Sequence, residues 1–124
     1  MAIRPNLDAD GIEEIEALLE GLTRQNLSQL RRGLVPPIYS QKRVRYKREA
    51  RGREDWQSAR VCMRLGGGDC EDLAAWAAAS YRLAGVNAVA IVKQVAPGLK
   101  HCIVRLPDGT IDDPSKRLGM KGKG

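Results

Sequence analysis

The chain has 124 residues, enough for one domain with a core of its own and too few for two comfortable ones. No apolar run approaches the roughly 20 residues that cross a bilayer, and the start MAIRPNLDAD lacks the apolar stretch of a secretory signal, so a cytoplasmic protein without a membrane partner is expected. The net charge of +6 is uneven: residues 8–20 carry six acids and no base, whereas residues 42–60 carry eight Lys or Arg against three acids.

A basic stretch of this kind serves some nucleic-acid binders, but no nucleic-acid motif or repeated aromatic stacking position accompanies it. A solvated or partner-facing surface is the expectation, and nucleic acid is not an expected partner. The three cysteines, Cys62, Cys70 and Cys102, are an odd number without CxxC spacing, which argues against a disulfide framework and a closed zinc site. Free thiols, no metal and no cofactor are expected.

Residues 11–32 read as an amphipathic helix, with Ile12, Ile15, Leu18, Leu19, Leu22, Leu27 and Leu30 at helical spacing. Asp10 is placed to cap it with Glu13 as a capping-box partner, and the acids of its first turns suit the helix dipole. Gly33, Pro36 and Pro37 stop it, so LVPPIYS reads as an extended linker. That linker separates an N-terminal segment, 1–36, from a main body, 37–124. QKRVRYKRE alternates Val44 and Tyr46 with charge, as an edge strand or extended arm does, and ARGRED reads as a turn.

A short helix is expected over 55–65, with Trp56, Ala59, Cys62, Met63 and Leu65 facing inward and Gly66, Gly67 and Gly68 ending it. The next helix begins at Asp69 or Cys70, carries Leu73, Ala74, Trp76, Ala77 and Tyr81 on its packing stripe, and closes at Gly85. Val/Ile-rich VNAVAIVKQV, HCIVRL and TIDD, separated by the turns APGLK and PDG, read as a three-stranded antiparallel meander. The fold class is therefore α+β, with a basic, glycine-rich C-terminal tail.

Within this frame Cys70 stands out. It follows GGGD at a helix start, where the dipole lowers a thiol's pKa and unpaired backbone N–H groups, that of Cys70 included, are placed to hold an oxyanion. The small residues before it, Gly68 especially, let a substrate backbone come close. Asp69, Glu71 and Asp72 are most simply acids that satisfy the helix N-terminus, and they also set negative charge around the thiol, which works against the helix effect. A cysteine nucleophile needs a base, and the chain has one histidine, His101. The PDG turn folds its strand back on the one ending in Asp112 and Asp113, and a carboxylate there would orient the imidazole. Pairing 101 with 113 or 115 favours Asp113, and pairing 101 with 114 favours Asp112; the pattern leaves that register open. Asp112 is otherwise expected to be a solvated turn neighbour, Cys62 and Cys102 to be packed, and Tyr39 or Tyr46 to line a cleft beside Cys70.

GGGDCEDLAAW, LKHCIVRL and TIDDPSKR together resemble the transglutaminase-like, papain-related core: Gly-Asp-Cys at a helix start, His on a strand, and Asp-Pro ending the next. The resemblance covers residues 56–117. It implies a catalytic-Cys helix packed on a small antiparallel sheet, with Cys70 as nucleophile, His101 as base and then acid, and Asp113, the acid directly before Pro, as the orienting group. Cys102 stands where a small or aromatic residue is common in that family, which implies a shallow cleft. Further upstream, PPIYSQKRVRYKREARGREDW is similar to small stand-alone members encoded in tailed-phage genomes. The function these readings imply is cysteine-dependent acyl transfer on a peptide or protein substrate through a thioester, with Gly68, Asp69 and Tyr46 as candidate substrate contacts. The alternative is a virion structural or assembly module that docks on phage head, connector or tail subunits through the 11–32 helix.

Overall fold

A computed structural model describes residues 11–48 and 56–121. Helix α1 runs Ile12–Arg31, followed by a 3-10 turn at Ile38–Ser40 and strand β1 at Arg45–Tyr46. Then come α2 (Ala59–Leu65), β2 (Gly67–Gly68), α3 (Cys70–Leu83), β3 (Val89–Ala96), β4 (Leu99–Arg105), β5 (Ile111–Asp112) and α4 (Pro114–Arg117). The architecture is mixed helix and sheet: β3, β4 and β5 form an antiparallel meander in that order, while β1 and β2 pair in parallel. None of the described helices is long and apolar enough to cross a membrane.

Helix α3 is the hub. Leu73, Ala74, Trp76, Ala77 and Ala78 are fully buried between α1 on one side and the β3–β4 hairpin on the other. Its alanines let backbones approach closely, and the bulk is supplied by neighbours: Ile15, Leu19 and Leu30 from α1, Ala90 and Val92 from β3, and Val104 from β4. Trp76 spends its polar edge on Pro36, donating Nε1–H to the carbonyl at 3.0 Å. Residues on both sides of position 36 thus share one core, and the expected linker is itself partly structured. Val35 and Ile38 are buried, and Ile38 N–H donates to Ser80 Oγ at 3.0 Å.

Several local expectations shift by a few residues, each for a visible reason. The cap of α1 is Gly11, with no side-chain cap bond, and Asp10 lies outside the described residues, as does the turn expected at 50–55. α2 starts at Ala59 rather than 55 because Ser58 caps it, accepting from Val61 N at 3.4 Å. Trp56, ahead of that cap, is only half-buried. Gly66 ends α2 at φ 79°, a left-handed conformation that glycine adopts without strain, and Gly67 and Gly68 continue as a strand instead of a loop. The basic arm pairs with that strand at Arg45 and Tyr46, and Lys47 adds a hydrogen bond to it. Arg43, part of the same arm, caps the end of α2 by donating to the Met63 and Arg64 carbonyls at 2.6 and 3.1 Å.

An ion pair ties α1 to the end of α3. Arg82 donates through both terminal nitrogens to Glu20, at 2.8 and 2.7 Å, and through Nε to the Ala88 carbonyl at 2.8 Å. The Arg82 bond is the largest influence holding the Glu20 carboxyl below its ordinary 4.5, so this contribution to stability is complete above pH 4.5 and disappears as pH falls through the lower folded-state value. Solvent reaches a third of the Glu20 side chain, 33%, and screens the pair. Glu20→Gln is therefore expected to cost about 0.5–1 kcal/mol at pH 7 and progressively less as pH falls below 4.5, read as urea midpoints across that range; a loss that does not shrink on acidification would contradict the assignment.

Candidate active site

Strand β2 delivers the chain to α3 in a fixed attitude. Gly68 O accepts from Lys47 N at 2.8 Å, and the next residue, Asp69, is the N-cap of α3. A capping box closes there: the Asp69 carboxylate accepts from the Asp72 backbone, and Asp72 Oδ2 accepts from Asp69 N at 3.1 Å. Asp72 also accepts from Gln57 N at 2.7 Å, which joins the segment before α2 to the same helix start. Cys70 is the first helical residue. Its own N–H donates to Asp69 Oδ1 at 2.7 Å, so the donor expected to serve an oxyanion is occupied by a carboxylate.

The thiol is buried, 6% exposed; it donates to Glu71 Oε2 at 3.4 Å and interacts with the Cys102 thiol on β4. The expected drop in its pKa does not occur. The bond with Cys102, then burial, then the charges of Glu71 and Asp69 push the Cys70 thiol well above its ordinary 9.0. These influences outweigh the helix dipole, which acts only within the first turn and whose N–H groups here already face Asp69. Glu71 is 1% exposed and is raised well above the usual carboxylate range by burial, then by Asp72 and Asp69. Its second oxygen, Oε1, has no hydrogen-bond partner among the described residues.

His101 lies on β4 and Asp113 follows β5. The register pairs Val104 with Asp112 and Arg105 with Ile111, which extends to 101 opposite 115 and puts Asp113 on the imidazole's side of the sheet. His101 Nε2 sits 3.0 and 2.9 Å from the two Asp113 oxygens. That contact favours the tautomer with the proton on Nε2 and leaves Nδ1 as the acceptor. Alternation along β4 turns Cys102 and Val104 toward α3 and His101 toward the other face. The structure thus brings His101 and Asp113 together, and Cys70 together with Cys102 and Glu71. No hydrogen bond joins the sulfur to the imidazole, although the thiol touches the residue next to His101 in the chain.

The remaining candidates fall in different places. Gly68 is buried against Cys62 Sγ, Asp72 Cβ and Leu73 Cδ2, which an added Cβ would meet at 2.9, 3.2 and 3.2 Å. Its lack of a side chain therefore has a packing cause. Tyr46, half-buried and level with Gly68 in the β1–β2 pair, has its phenol pushed up to about 12 by burial, then by the charges of Asp69 and Cys70. Tyr39 is turned away from that site and donates to Asp112 Oδ2 at 2.6 Å. Asp112 is no solvated turn residue: it is 8% exposed and faces α3, where Tyr81 donates to it at 3.0 Å. Cys62 is fully buried in the core, and Cys102, equally buried, is also a direct neighbour of the thiol.

Sequence reasoning put the charge of Glu71 near the thiol without fixing whether it points at the sulfur, and took Cys102 as packing only. The signal for Glu71 was its place on the first turn beside Cys70; nothing local marked Cys102. Asp69, Cys70 and Glu71 each offer an atom of metal-ligating type, all within 4.8 Å of one another. No family model matches the chain, and neither the curated proteins nor the solved structures contain a match to it.

Three outcomes follow from this geometry. Gly68→Ala is expected to destabilise the fold by about 1–3 kcal/mol, because the new methyl meets buried atoms on three sides; an unchanged thermal midpoint would contradict that packing. Alkylation of Cys70 is expected to be slow near neutral pH and to climb until well above pH 9, its ordinary titration range. Cys102→Ala removes the largest influence on the thiol and is expected to speed alkylation at pH 7, by about tenfold for each pH unit that the titration falls; peptide mass mapping of iodoacetamide-treated protein reads both.

Proposed function

We propose that the chain is a cysteine-dependent acyl-transfer enzyme acting on peptide or amide substrates, with a transglutaminase-like, papain-related core. The observation that carries the reading is the His101–Asp113 pair at 2.9 Å, set on β4 one residue from the neighbour of a helix-start cysteine. A structural histidine needs only one hydrogen bond, whereas this one has both carboxylate oxygens on the same nitrogen and the other nitrogen left to accept a proton. The order Gly-Asp-Cys, His, Asp-Pro supports the same roles.

In this mechanism His101 Nδ1 takes the proton from Cys70, and the sulfur attacks the substrate carbonyl carbon. The tetrahedral intermediate collapses to a thioester as the C–N bond breaks, and the leaving amine takes the proton back from His101. Water, or a second amine, then attacks the thioester with His101 again as base and regenerates the thiol. Hydrolysis and crosslinking use the same residues and differ in which nucleophile reaches the acyl-enzyme. Because the resting thiol is protonated, proton transfer to His101 has to accompany substrate binding; a standing thiolate does not supply the nucleophile.

An assembly module docking through residues 11–32 would need that helix's apolar stripe at the surface. Ile15, Leu19, Leu22 and Leu30 are instead buried, with α1 packed on α3 and β3 of its own chain, so no observation favours this second reading.

The test is acyl-enzyme trapping. With a peptide thioester as donor, intact mass followed by peptide mapping is expected to show one acyl group on Cys70, none on Cys70→Ala, and formation slowed by about 100-fold or more in His101→Ala. Acylation that is independent of His101, or spread over Cys62 and Cys102, would overturn the proposal.

A further inference from the structure

Asp112 takes no part in the chemistry proposed above, yet it is held from three separate elements. Its Oδ2 accepts from Tyr39 at 2.6 Å and from Tyr81 at 3.0 Å, and its Oδ1 from Arg117 Nη1 at 3.3 Å. Arg117 in turn lies over the Tyr39 ring, 3.5 Å from its centroid, so the groups brace one another. Tyr39 belongs to the 3-10 turn after α1, Tyr81 to α3 and Arg117 to α4, which makes the carboxylate a point where three parts of the chain meet. The strand that carries it needs such an anchor. β5 has two residues and lies at the edge of the sheet, paired among the described strands only with β4. So short an edge strand holds its register weakly through ladder bonds alone.

The consequence falls on the next residue. Successive strand side chains point to opposite faces, so a β5 fixed by Asp112 toward α3 presents Asp113 to the His101 side. We propose that Asp112 is a positioning residue for the His101–Asp113 pair: its carboxylate, gripped by Tyr39, Tyr81 and Arg117, fixes the end of β5 so that Asp113 meets the imidazole. This inference rests on the reading of His101 and Asp113 as base and orienting acid. It also gives the paired acids of TIDDP distinct duties, one facing each side of the sheet.

His101 is the only histidine in the chain, so its ring N–H is a single, assignable reporter in a 15N-labelled sample. Wild-type protein is expected to show an Nε2–H proton protected from water, and Asp113→Asn to lose it. Asp112→Asn keeps an oxygen for the two phenols but turns an NH2 toward Arg117. It is expected to speed water exchange of the His101 ring proton by about tenfold, the factor that goes with losing one net hydrogen bond, while the amide fingerprint of α3 and β4 is retained. A retained fingerprint with wild-type exchange would overturn the proposal. Should Asp112→Asn fail to fold, Tyr39→Phe, which removes the 2.6 Å donor and leaves the carboxylate, is expected to move exchange in the same direction; wild-type exchange there overturns it equally. If the wild-type ring proton is unprotected and Asp113→Asn changes nothing, the pair itself is absent, and the positioning role falls with it; a protected wild-type proton that is indifferent to Asp112 removes the positioning role alone.

Discussion

Asp72 is fully buried, and two backbone N–H groups converge on it, Gln57 at 2.7 Å from one side and Asp69 at 3.1 Å from the other. Hydrogen bonds to a carboxylate are stronger than neutral ones, and a buried carboxylate without them would be costly. This single side chain therefore clamps the segment before α2 to the N-terminus of α3. From that clamp follow the path of β2, its parallel pairing with β1, and the fixed place of Cys70 as the first residue of a helix buried through Ala79.

The same clamp sets the electrostatics of the thiol. Holding α3 by acids at 69 and 72 fills the helix's unpaired N–H groups and brings negative charge close to Cys70; Glu71 adds to it, and Cys102 supplies the strongest influence of all. Stability of the helix start and activation of the thiol pull in opposite directions here, and stability wins in the resting chain. A second acid anchor, Asp112, works at the far side of α3 on β5, while Asp113 pairs with His101. Cys70 and the Asp113 partner of His101 are thus each held by a buried acid anchor, Asp72 at the start of the hub helix and Asp112 near its end.

Much of this was legible in the sequence. Apolar spacing gave α1 nearly to the residue, because a long periodic helix buried on one face carries a strong signal, and the capping acids and closing glycine bounded α3. Val/Ile enrichment and the two glycine turns gave the meander. The Asp112/Asp113 choice needed a register that no local pattern contains, and the observed pairing of Val104 with Asp112 settles which acid shares His101's face. Burial of Asp112 and Glu71 was not legible either, since acids beside a strand end or helix start read as solvated unless their distant partners, Tyr39 at 73 residues' separation among them, are known. The effect of Cys102 on Cys70 is likewise a contact between elements. Together with burial and the flanking acids it carries the thiol's pKa upward, against the helix effect.

The account turns on Cys70 and His101 belonging to one site although no hydrogen bond joins them at rest. Methylthiolation of Cys70, with Cys62 and Cys102 replaced by alanine, followed through the 15N resonances of the sole histidine, tests that directly. If the account is right, the His101 Nδ1 resonance shifts on modification while the Nε2–H signal to Asp113 persists. An Nδ1 resonance indifferent to what sits on Cys70 would contradict it.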